Sequence, residues 1–306
     1  MKPPSRAILR EVLGGDVLRV TELKGGISCS VHAVRIQRPD GTRENVVVRR
    51  YGADWQAEAP EVAQREFNVL EVLARRGFPA PRPLLLDKTG VLFGMPTVVI
   101  SRLPGRGVLT PRDLDGYLQQ MVDVLVELHQ QPVADFEFLP SDRERTERMI
   151  TRGPAYDDPL QNQIWAVVRS MWPKVRQADR MALIHGDFWP GNVVWLRDRL
   201  TGVVDWEMTR LGDPSKDVGM CRCDVAMLFD MDTADEFSRR YALARGGPVA
   251  DVDFWSLYAT TSALRYMHEW AAGYQALGRT DLTPEMSIKR VEHYAQQLLG
   301  VRPKSS

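Results

Sequence analysis

The spacing of apolar positions along the chain changes near residue 105. Before that point, short apolar or alternating runs are separated by glycine, proline and aspartate, which is typical of β-strands joined by turns. After it, apolar residues recur at every third or fourth position, which predicts amphipathic helices. We therefore expect an α+β protein with a β-rich N-terminal part and a mostly helical C-terminal part.

Within the N-terminal part, one helix is predicted among several strands. It opens at Pro60, because proline is well tolerated in a first turn, and Gly77 fits the C-terminal cap position. Pro79, Pro81 and Pro83 then prevent the helix from resuming. The predicted strands are 17–23, 31–36, 46–49 and 97–100.

The C-terminal part predicts helices at 114–128, 160–175 and 251–277. His129 ends the first of them, where a cation is favourable, so a capping role is expected for it. The last helix carries aromatic residues at steps of three to eight, and such a series is more often core than ligand site. These residues are Trp255, Tyr258, Tyr266, Trp270 and Tyr274.

A strand at 182–184 and a hairpin are predicted in the middle of the C-terminal part. Asn192 just precedes the first hairpin strand and Asp205 just follows the second, so both lie at the same open end. Two oxygen ligands that converge there suit a hard cation carrying nucleotide phosphates. Asp187 lies one loop away and is placed to accept a hydroxyl proton. The hairpin is predicted as strands 193–196 and 203–204 around a turn at 197–202.

Composition and charge exclude several other classes of protein. The chain has 306 residues, with 40 Lys plus Arg and 40 Asp plus Glu, and it has no basic block, so we expect no nucleic-acid partner. No apolar run reaches the length of a membrane span, and no apolar signal core follows the N-terminus. Three cysteines argue against a disulfide framework, so we expect a cytoplasmic protein without a membrane partner.

The polar residues follow the order Asp, Asn, Asp of the kinase template, with an Asn five residues after the first Asp. His-Gly-Asp stands at 185–187, Asp-Trp-Glu at 205–207 and Gly-Asp-Pro at 212–214. This combination resembles the aminoglycoside phosphotransferase and choline kinase-like family of small-molecule kinases. The resemblance implies a two-lobed protein-kinase-like fold, with a nucleotide-binding lobe at 1–103 and a catalytic and substrate-binding lobe at 104–306.

The same resemblance implies roles for the residues of this segment. Asp187 would be the catalytic base, and Asn192 and Asp205 would be the magnesium ligands. His185 is expected to be buried and structural, and Asp217 is expected to stabilise the catalytic loop. For Asn192 and Asp205 the alternative is an Asx turn or a helix cap, which their joint spacing disfavours.

In the N-terminal part, Arg49 ends the strand 46–49 at the place where the kinase template has its phosphate-binding lysine. By resemblance its partner is Glu66. Arginine is a planar fork rather than a point charge, so it could hold two phosphate oxygens together. Neighbouring Arg50 is the alternative, and Cys29 stands where the family usually has asparagine.

Two further segments are expected to contact the nucleotide. Gly25, Gly26 and Ser28 lie between two predicted strands, where glycines let successive backbone N–H groups approach phosphates. Ser101 and Leu103 lie in the segment that would be the adenine-binding hinge by resemblance.

We therefore expect an enzyme that moves the γ-phosphoryl group of ATP, or of GTP, to a hydroxyl of a small molecule with Mg²⁺. The acceptor could be an antibiotic, an amino alcohol or another metabolite, and the oligomeric state stays open. Because Arg49 and Cys29 depart from the template, a nucleotide-binding pseudokinase without transfer activity is the alternative. A protein kinase is disfavoured, since Gly212 follows Asp205 by only seven residues and leaves no long activation segment.

The segment from Asp213 to Glu236 contains seven acidic and two basic residues. We interpret it as a solvent-exposed helix face, and the alternative is that its acids attract a cationic substrate.

Overall fold

The computed structural model divides into two compact units by its internal contacts. Unit 1 comprises Met1–Gly105 and Thr201–Glu207, and unit 2 comprises Arg106–Leu200 and Met208–Ser306. A β-sheet dominates the first unit and helices dominate the second, which confirms the predicted α+β class. The structure describes residues 3–23, 29–52, 59–175 and 181–300.

Unit 1 contains a five-stranded antiparallel sheet in the order β1-β2-β3-β5-β4. Helix α1 (Arg6–Leu13) precedes the sheet, and helix α2 (Val62–Arg76) packs against β4 and β5. Gly77 is the left-handed C-terminal cap of α2, as the sequence predicted. The strands are β1 (Asp16–Glu22), β2 (Cys29–Gln37), β3 (Arg43–Tyr51), β4 (Pro83–Asp87) and β5 (Thr97–Ser101).

Strand β3 positions the basic residues of unit 1 through its two-residue period. Val46 and Val48 are buried in the same apolar cluster as Leu9 of α1. Because successive side chains alternate between the faces of a sheet, Arg49 lies on the other face. There it meets Glu66 of α2.

The polypeptide of unit 2 forms two small sheets and seven described helices. Strand β7 (Ala182–Ile184) pairs antiparallel with β10 (Arg210–Gly212). The other sheet has the order β6-β8-β9, and its strands are β6 (Arg106–Gly107), β8 (Val193–Leu196) and β9 (Arg199–Val203), of which only Arg199 and Leu200 are counted in unit 2. The helices are α3 (Leu114–His129), α4 (Asp142–Arg152), α5 (Pro159–Met171), α6 (Pro214–Leu228), α7 (Met231–Arg245), α8 (Val252–Ala276) and α9 (Pro284–Leu298).

Helix α8 lies at the centre of the unit 2 core, where it packs against α5, α6 and α9. Trp255 and Tyr258 are buried in this core, so their interpretation as core residues is confirmed. Tyr266 and Trp270 are half-buried, with their ring centroids 5.9 Å apart. The start of α6 also follows the prediction, because Pro214 occupies the first turn and the Asp213 carboxylate accepts a hydrogen bond from the Ser215 backbone N–H.

The hairpin that links β8 to β9 has a shorter turn than the sequence predicted. Only Arg197 and Asp198 form the turn, and both adopt positive φ angles, 51° and 61°. Two successive residues in that region make the tight turn that matches strand twist, so β9 begins at Arg199 and not at residue 203. Asn192 still precedes the first hairpin strand and Asp205 still follows the second.

A buried ion pair joins α4 to α6 and gives a first testable prediction. The Lys216 ammonium donates to both carboxylate oxygens of Asp142, at 2.7 and 2.6 Å, and both side chains are buried. Removing one partner leaves an uncompensated charge in the core, so Asp142→Ala should lower the free energy of unfolding by about 3–5 kcal/mol. Chemical denaturation measures this loss.

The matched control is the exposed pair between Arg10 and Asp16, whose atoms are 3.1 Å apart. Solvent screens that pair, so Arg10→Ala should change the unfolding free energy by less than about 1 kcal/mol. Equal losses for the two variants would show that the Lys216–Asp142 pair does not stabilise unit 2.

Candidate active site

A buried carboxylate accepts hydrogen bonds from the backbone of the loop that carries Asp187. Asp217, in the first turn of α6, accepts a hydrogen bond from the His185 backbone N–H at 2.6 Å and another from the Gly186 N–H at 2.9 Å. Asp217 and His185 are fully buried. The loop backbone is therefore fixed relative to α6 immediately before Asp187.

His129 extends this network in a way that the sequence did not indicate. Its Nε2 lies 3.2 Å from Asp217 Oδ2, and its Nδ1 lies 2.6 Å from the Tyr241 hydroxyl. The expected capping role at the end of α3 is thus replaced by support of Asp217. A buried histidine at a helix end has no sequence signature that would distinguish the two roles.

The side chain of Asn192 connects the far end of the loop to Asp187. Its Nδ2 donates to the Asp187 carbonyl oxygen at 2.8 Å and to the Asp187 carboxylate Oδ2 at 3.0 Å. These bonds orient the amide, so its Oδ1 oxygen is the atom left for a cation. Asn192 is buried, whereas Asp187 is half-buried and keeps access to solvent.

Glycine is required at position 186 for two separate reasons. Its φ angle is +79°, in the left-handed region that favours glycine. A Cβ atom at this position would also lie 2.5 Å from the Met208 carbonyl oxygen, which is shorter than a van der Waals contact distance. The tight approach lets both backbone amides of the His-Gly pair point at Asp217.

In unit 1, three carboxylates surround the guanidinium of Arg49. Its Nε donates to Glu66 at 3.1 Å, and its Nη2 donates to Asp205 at 2.6 Å and to Glu207 at 3.0 Å. Asp205 adopts a positive φ angle of 72°, which only a few non-glycine residues do. Glu207 had not been assigned a role from the sequence, although the Asp-x-Glu spacing is the signal that could have identified it.

The electrostatics of this cluster favour a further cation. Burial by itself lowers the pKa of Arg49, but Asp205, Glu66 and Glu207 outweigh it and hold that pKa well above its usual value. Burial also raises the pKa of Glu66 to about 7. Three carboxylates lie against this one guanidinium, and the Asp205 side chain keeps part of its surface exposed. Carboxylate oxygens are the ligands that Mg²⁺ prefers, so the donor set fits Mg²⁺.

The alternative to Arg49 lies on the opposite face of β3. Arg50 is equally buried, and its Nη2 lies 3.3 Å from the Ser30 hydroxyl. Because the strand alternates, Arg50 is directed away from the cluster of Glu66 and Asp205. Geometry therefore favours Arg49 over Arg50 as the residue that responds to a metal or phosphate there.

The other predicted nucleotide contacts are placed only in part. Gly25, Gly26 and Ser28 lie outside the described residues. The Ser101 hydroxyl accepts a hydrogen bond from the Arg82 backbone N–H at 2.8 Å, and Leu103 is half-buried. The roles of these five residues stay predictions.

Two structural features are absent from the described residues. In the four described ranges, no group of three or more His, Cys, Asp or Glu side chains is arranged to hold a metal ion by itself. Within the same ranges, no helix is long and apolar enough to cross a membrane. A metal that is shared between two protein oxygens and nucleotide phosphates needs no such group.

Comparison with known proteins identifies the class of protein. The family model described as "Phosphotransferase enzyme family" matches residues 20–258, and the chain belongs to that family. Its fold is protein-kinase-like.

Two solved structures share this fold. One is a thermostable mutant of aminoglycoside phosphotransferase APH(4)-Ia in a ternary complex with AMP-PNP and hygromycin B. It has a TM-score of 0.65 and 15% identity, with 98% of this chain and 99% of that chain covered. The other, macrolide 2'-phosphotransferase type I, has a TM-score of 0.63 and 18% identity, with 91% and 95% covered.

The chain spans about a quarter of the length of the first two curated relatives that it matches. Acyl-CoA dehydrogenase family member 10 of Mus musculus is 23% identical over 277 residues, which cover 79% of this chain but 25% of that protein. Acyl-CoA dehydrogenase family member 11 of Rattus norvegicus is 27% identical, and 27% of its length is covered. The homoserine kinase of Chelativorans sp. (strain BNC1) is 27% identical over 219 residues, with 65% of this chain and 66% of that protein covered.

The strained glycine of the loop gives the second prediction. Gly186→Ala should lower the free energy of unfolding by more than the roughly 1–2 kcal/mol that a left-handed alanine costs, because the Cβ also meets the Met208 carbonyl. Thermal and chemical denaturation report the loss. Gly246→Ala is the control, since that residue has the same φ of +79° and no atom within 4 Å of a Cβ. Equal losses at the two sites would mean that the loop tolerates the side chain.

Proposed function

We propose that the protein transfers the γ-phosphoryl group of ATP, or alternatively of GTP, to a hydroxyl of a small molecule. The observation that carries the proposal is the geometry around Asp187. An accessible carboxylate is oriented by Asn192 on a loop whose backbone is fixed by Asp217. This is the arrangement that a base for an alcohol needs, because the carboxylate is held in place and is only half-buried.

In the proposed reaction, the acceptor hydroxyl oxygen forms a bond to the γ-phosphorus. The bond between that phosphorus and the oxygen bridging to the β-phosphate breaks, and ADP leaves with the electron pair. Asp187 orients the hydroxyl and takes its proton as the new bond forms. The amide Nδ2 of Asn192 keeps the carboxylate of Asp187 in position throughout.

For the metal, the residues that would hold Mg²⁺ are Asp205 and, through its Oδ1, Asn192. When bound, Mg²⁺ neutralises the charge that develops on the phosphate oxygens. Arg49 would then hold phosphate oxygens while Glu66 and Glu207 keep its guanidinium in place. Gly25, Gly26 and Ser28 would cradle the phosphates, and Ser101 and Leu103 would contact the adenine.

Known relatives support a small-molecule acceptor without identifying it. One structural neighbour was solved with hygromycin B, and several curated relatives are homoserine kinases. The polypeptide between Asp205 and α6 also contains only a three-residue helical turn and strand β10. That interval is too short for the extended peptide platform of a protein kinase.

One observation favours the alternative, a nucleotide-binding module without transfer activity. The Asp205 carboxylate already forms a 2.6 Å ion pair with Arg49, and a metal would have to compete with that guanidinium. If the ion pair persisted in the presence of nucleotide, the metal would not be held and transfer would fail. The two tests below separate the possibilities.

The third prediction concerns the base. Asp187→Asn should lower turnover by roughly 10²–10⁴-fold, because the amide cannot accept the hydroxyl proton, while nucleotide still binds. ADP release with a panel of hydroxylated metabolites and antibiotics measures turnover. Asp198→Asn removes an equal charge from the exposed hairpin turn and should leave turnover unchanged. Near-normal turnover in Asp187→Asn would remove Asp187 from the mechanism.

The fourth prediction concerns the metal. ATP binding measured by calorimetry should weaken strongly when EDTA removes Mg²⁺, and Asp205→Asn should make the residual binding insensitive to Mg²⁺. Asn192→Ala should weaken the Mg²⁺ dependence to a smaller extent. Wild-type ATP affinity that does not respond to EDTA would show that Asp205 and Asn192 hold no metal.

A further inference from the structure

A groove lies on the surface of unit 2 where the end of α6 and the start of α7 meet helix α9. Its volume is about 440 Å³. Small-molecule sites in proteins usually have volumes of about 300–1,000 Å³. The groove is therefore large enough for a compact metabolite.

The groove is separate from the candidate active site. Ala226 lines it and follows Asp217 in α6 by nine residues, which is about two and a half helical turns. The two residues therefore lie on opposite sides of the helix. Because Asp217 holds the loop of Asp187, a ligand in the groove binds on the far side of α6 from that loop.

The floor of the groove is apolar and well supported. Tyr294 of α9 is buried in a small core cluster with Cys223 and Ala259, and Met231 packs against this cluster. Phe229 and Met231 are half-buried and also line the groove. An apolar group of a ligand would thus meet one buried aromatic ring and two half-buried apolar side chains.

The two sides of the groove carry opposite charges. Asp230 and Asp232 lie at the start of α7, whereas Lys289 and His293 lie one turn apart on α9. All four side chains are exposed. In the described part of the chain, no ion pair or hydrogen bond joins these two acids to Lys289 or His293. The groove therefore keeps acid and base apart, and a ligand that carries both charges could bridge them.

Two neighbouring polar groups already have structural roles. The Asp230 carboxylate accepts a hydrogen bond from the Thr233 backbone N–H at 2.7 Å, and so caps α7. Arg290 Nη1 donates to the Met227 carbonyl oxygen at 2.8 Å, at the end of α6. By contrast, Asp232 and Lys289 make no such bond within the described ranges. These two side chains are the ones that remain for a ligand.

We propose that the groove binds a zwitterion, namely a free α-amino acid with an apolar side chain. Lys289 pairs with its carboxylate, Asp232 pairs with its ammonium group, and its side chain covers the apolar floor. An anion alone would lie beside the two acids, and a cation alone would lie beside Lys289. A zwitterion complements both sides. This inference does not depend on the proposed phosphotransfer.

Analogues that lack one charge test the ligand class. Calorimetry on the full chain without nucleotide should show saturable binding of L-leucine. We expect 3-methylbutylamine, which lacks the carboxylate, and 4-methylpentanoate, which lacks the amine, to bind about 5–10-fold more weakly. That factor lies between the value of an exposed ion pair and that of a hydrogen bond to a charged group. No saturable binding of L-leucine, or equal affinity for all three compounds, would overturn the proposal.

Substitutions then test the two assigned contacts. Lys289→Gln should remove the preference for L-leucine over the amine, and Asp232→Asn should remove the preference over the carboxylic acid. The matched controls are Lys174→Gln and Glu147→Gln, which change exposed residues of unit 2 outside the groove. These controls should bind as wild type. If Lys289→Gln and Asp232→Asn both keep the wild-type preferences, L-leucine binds elsewhere and the assignment is wrong.

A competition experiment separates the groove from the candidate active site. Because the groove lies on the far side of α6 from Asp217, AMP-PNP with Mg²⁺ should leave the affinity for L-leucine unchanged. Asp187→Asn should also bind L-leucine as wild type does. Displacement of L-leucine by AMP-PNP, or its loss in Asp187→Asn, would place the amino acid at the phosphotransfer site and refute a second site.

Discussion

The hydrogen bonds that Asp217 accepts determine the position of the loop that carries Asp187. Strand β7 is only three residues long, so its pairing with β10 cannot fix the loop that follows. The carboxylate does so instead: its Oδ2 accepts a hydrogen bond from the His185 N–H and lies against His129, and its Oδ1 accepts one from the Gly186 N–H. Loss of this carboxylate would leave buried donors unsatisfied, which is expensive in the core. The position of the candidate base therefore follows from where helix α6 begins.

Charged groups in this chain are arranged in two contrasting ways. In the scaffold, charges are compensated, as in the buried pair between Lys216 and Asp142. Around Arg49, three carboxylates lie against a single guanidinium. An excess of buried acid stores unfavourable free energy that an incoming cation releases. The proposed Mg²⁺ brings positive charge to the carboxylates around Arg49.

Local chemistry made much of the fold predictable from the sequence. Alternation identified β2, β3 and β5, helical periodicity identified α3 and α8, and the Asp213-Pro214 pair marked the start of α6. Helices α1, α4, α7 and α9 were not predicted. Most of these segments are rich in charged residues. Their mean hydropathy therefore does not distinguish a helix from a loop before the apolar surface that they cover is known.

The candidate site was predictable where its residues are close in sequence. Asp187 and Asn192 are five residues apart in one loop, so their contact could be expected from the sequence. Contacts that depend on tertiary packing were not accessible, because no local pattern encodes them. His129 meets Asp217 across 88 residues, and Arg49 meets Glu207 across 158 residues. The hairpin turn was misjudged because arginine and aspartate, without glycine, adopt the left-handed conformation at 197 and 198.

The short segment Thr201–Glu207 belongs to unit 1, although the residues on both sides of it belong to unit 2. The backbone therefore passes from one unit to the other after residues 105, 200 and 207. No single proteolytic cut or gene truncation can release unit 1 intact, because Asp205 and Glu207 would stay with the other fragment. Grafting unit 1 of this chain onto another member of the family would require two crossovers, one on each side of Thr201–Glu207, in addition to one near residue 105.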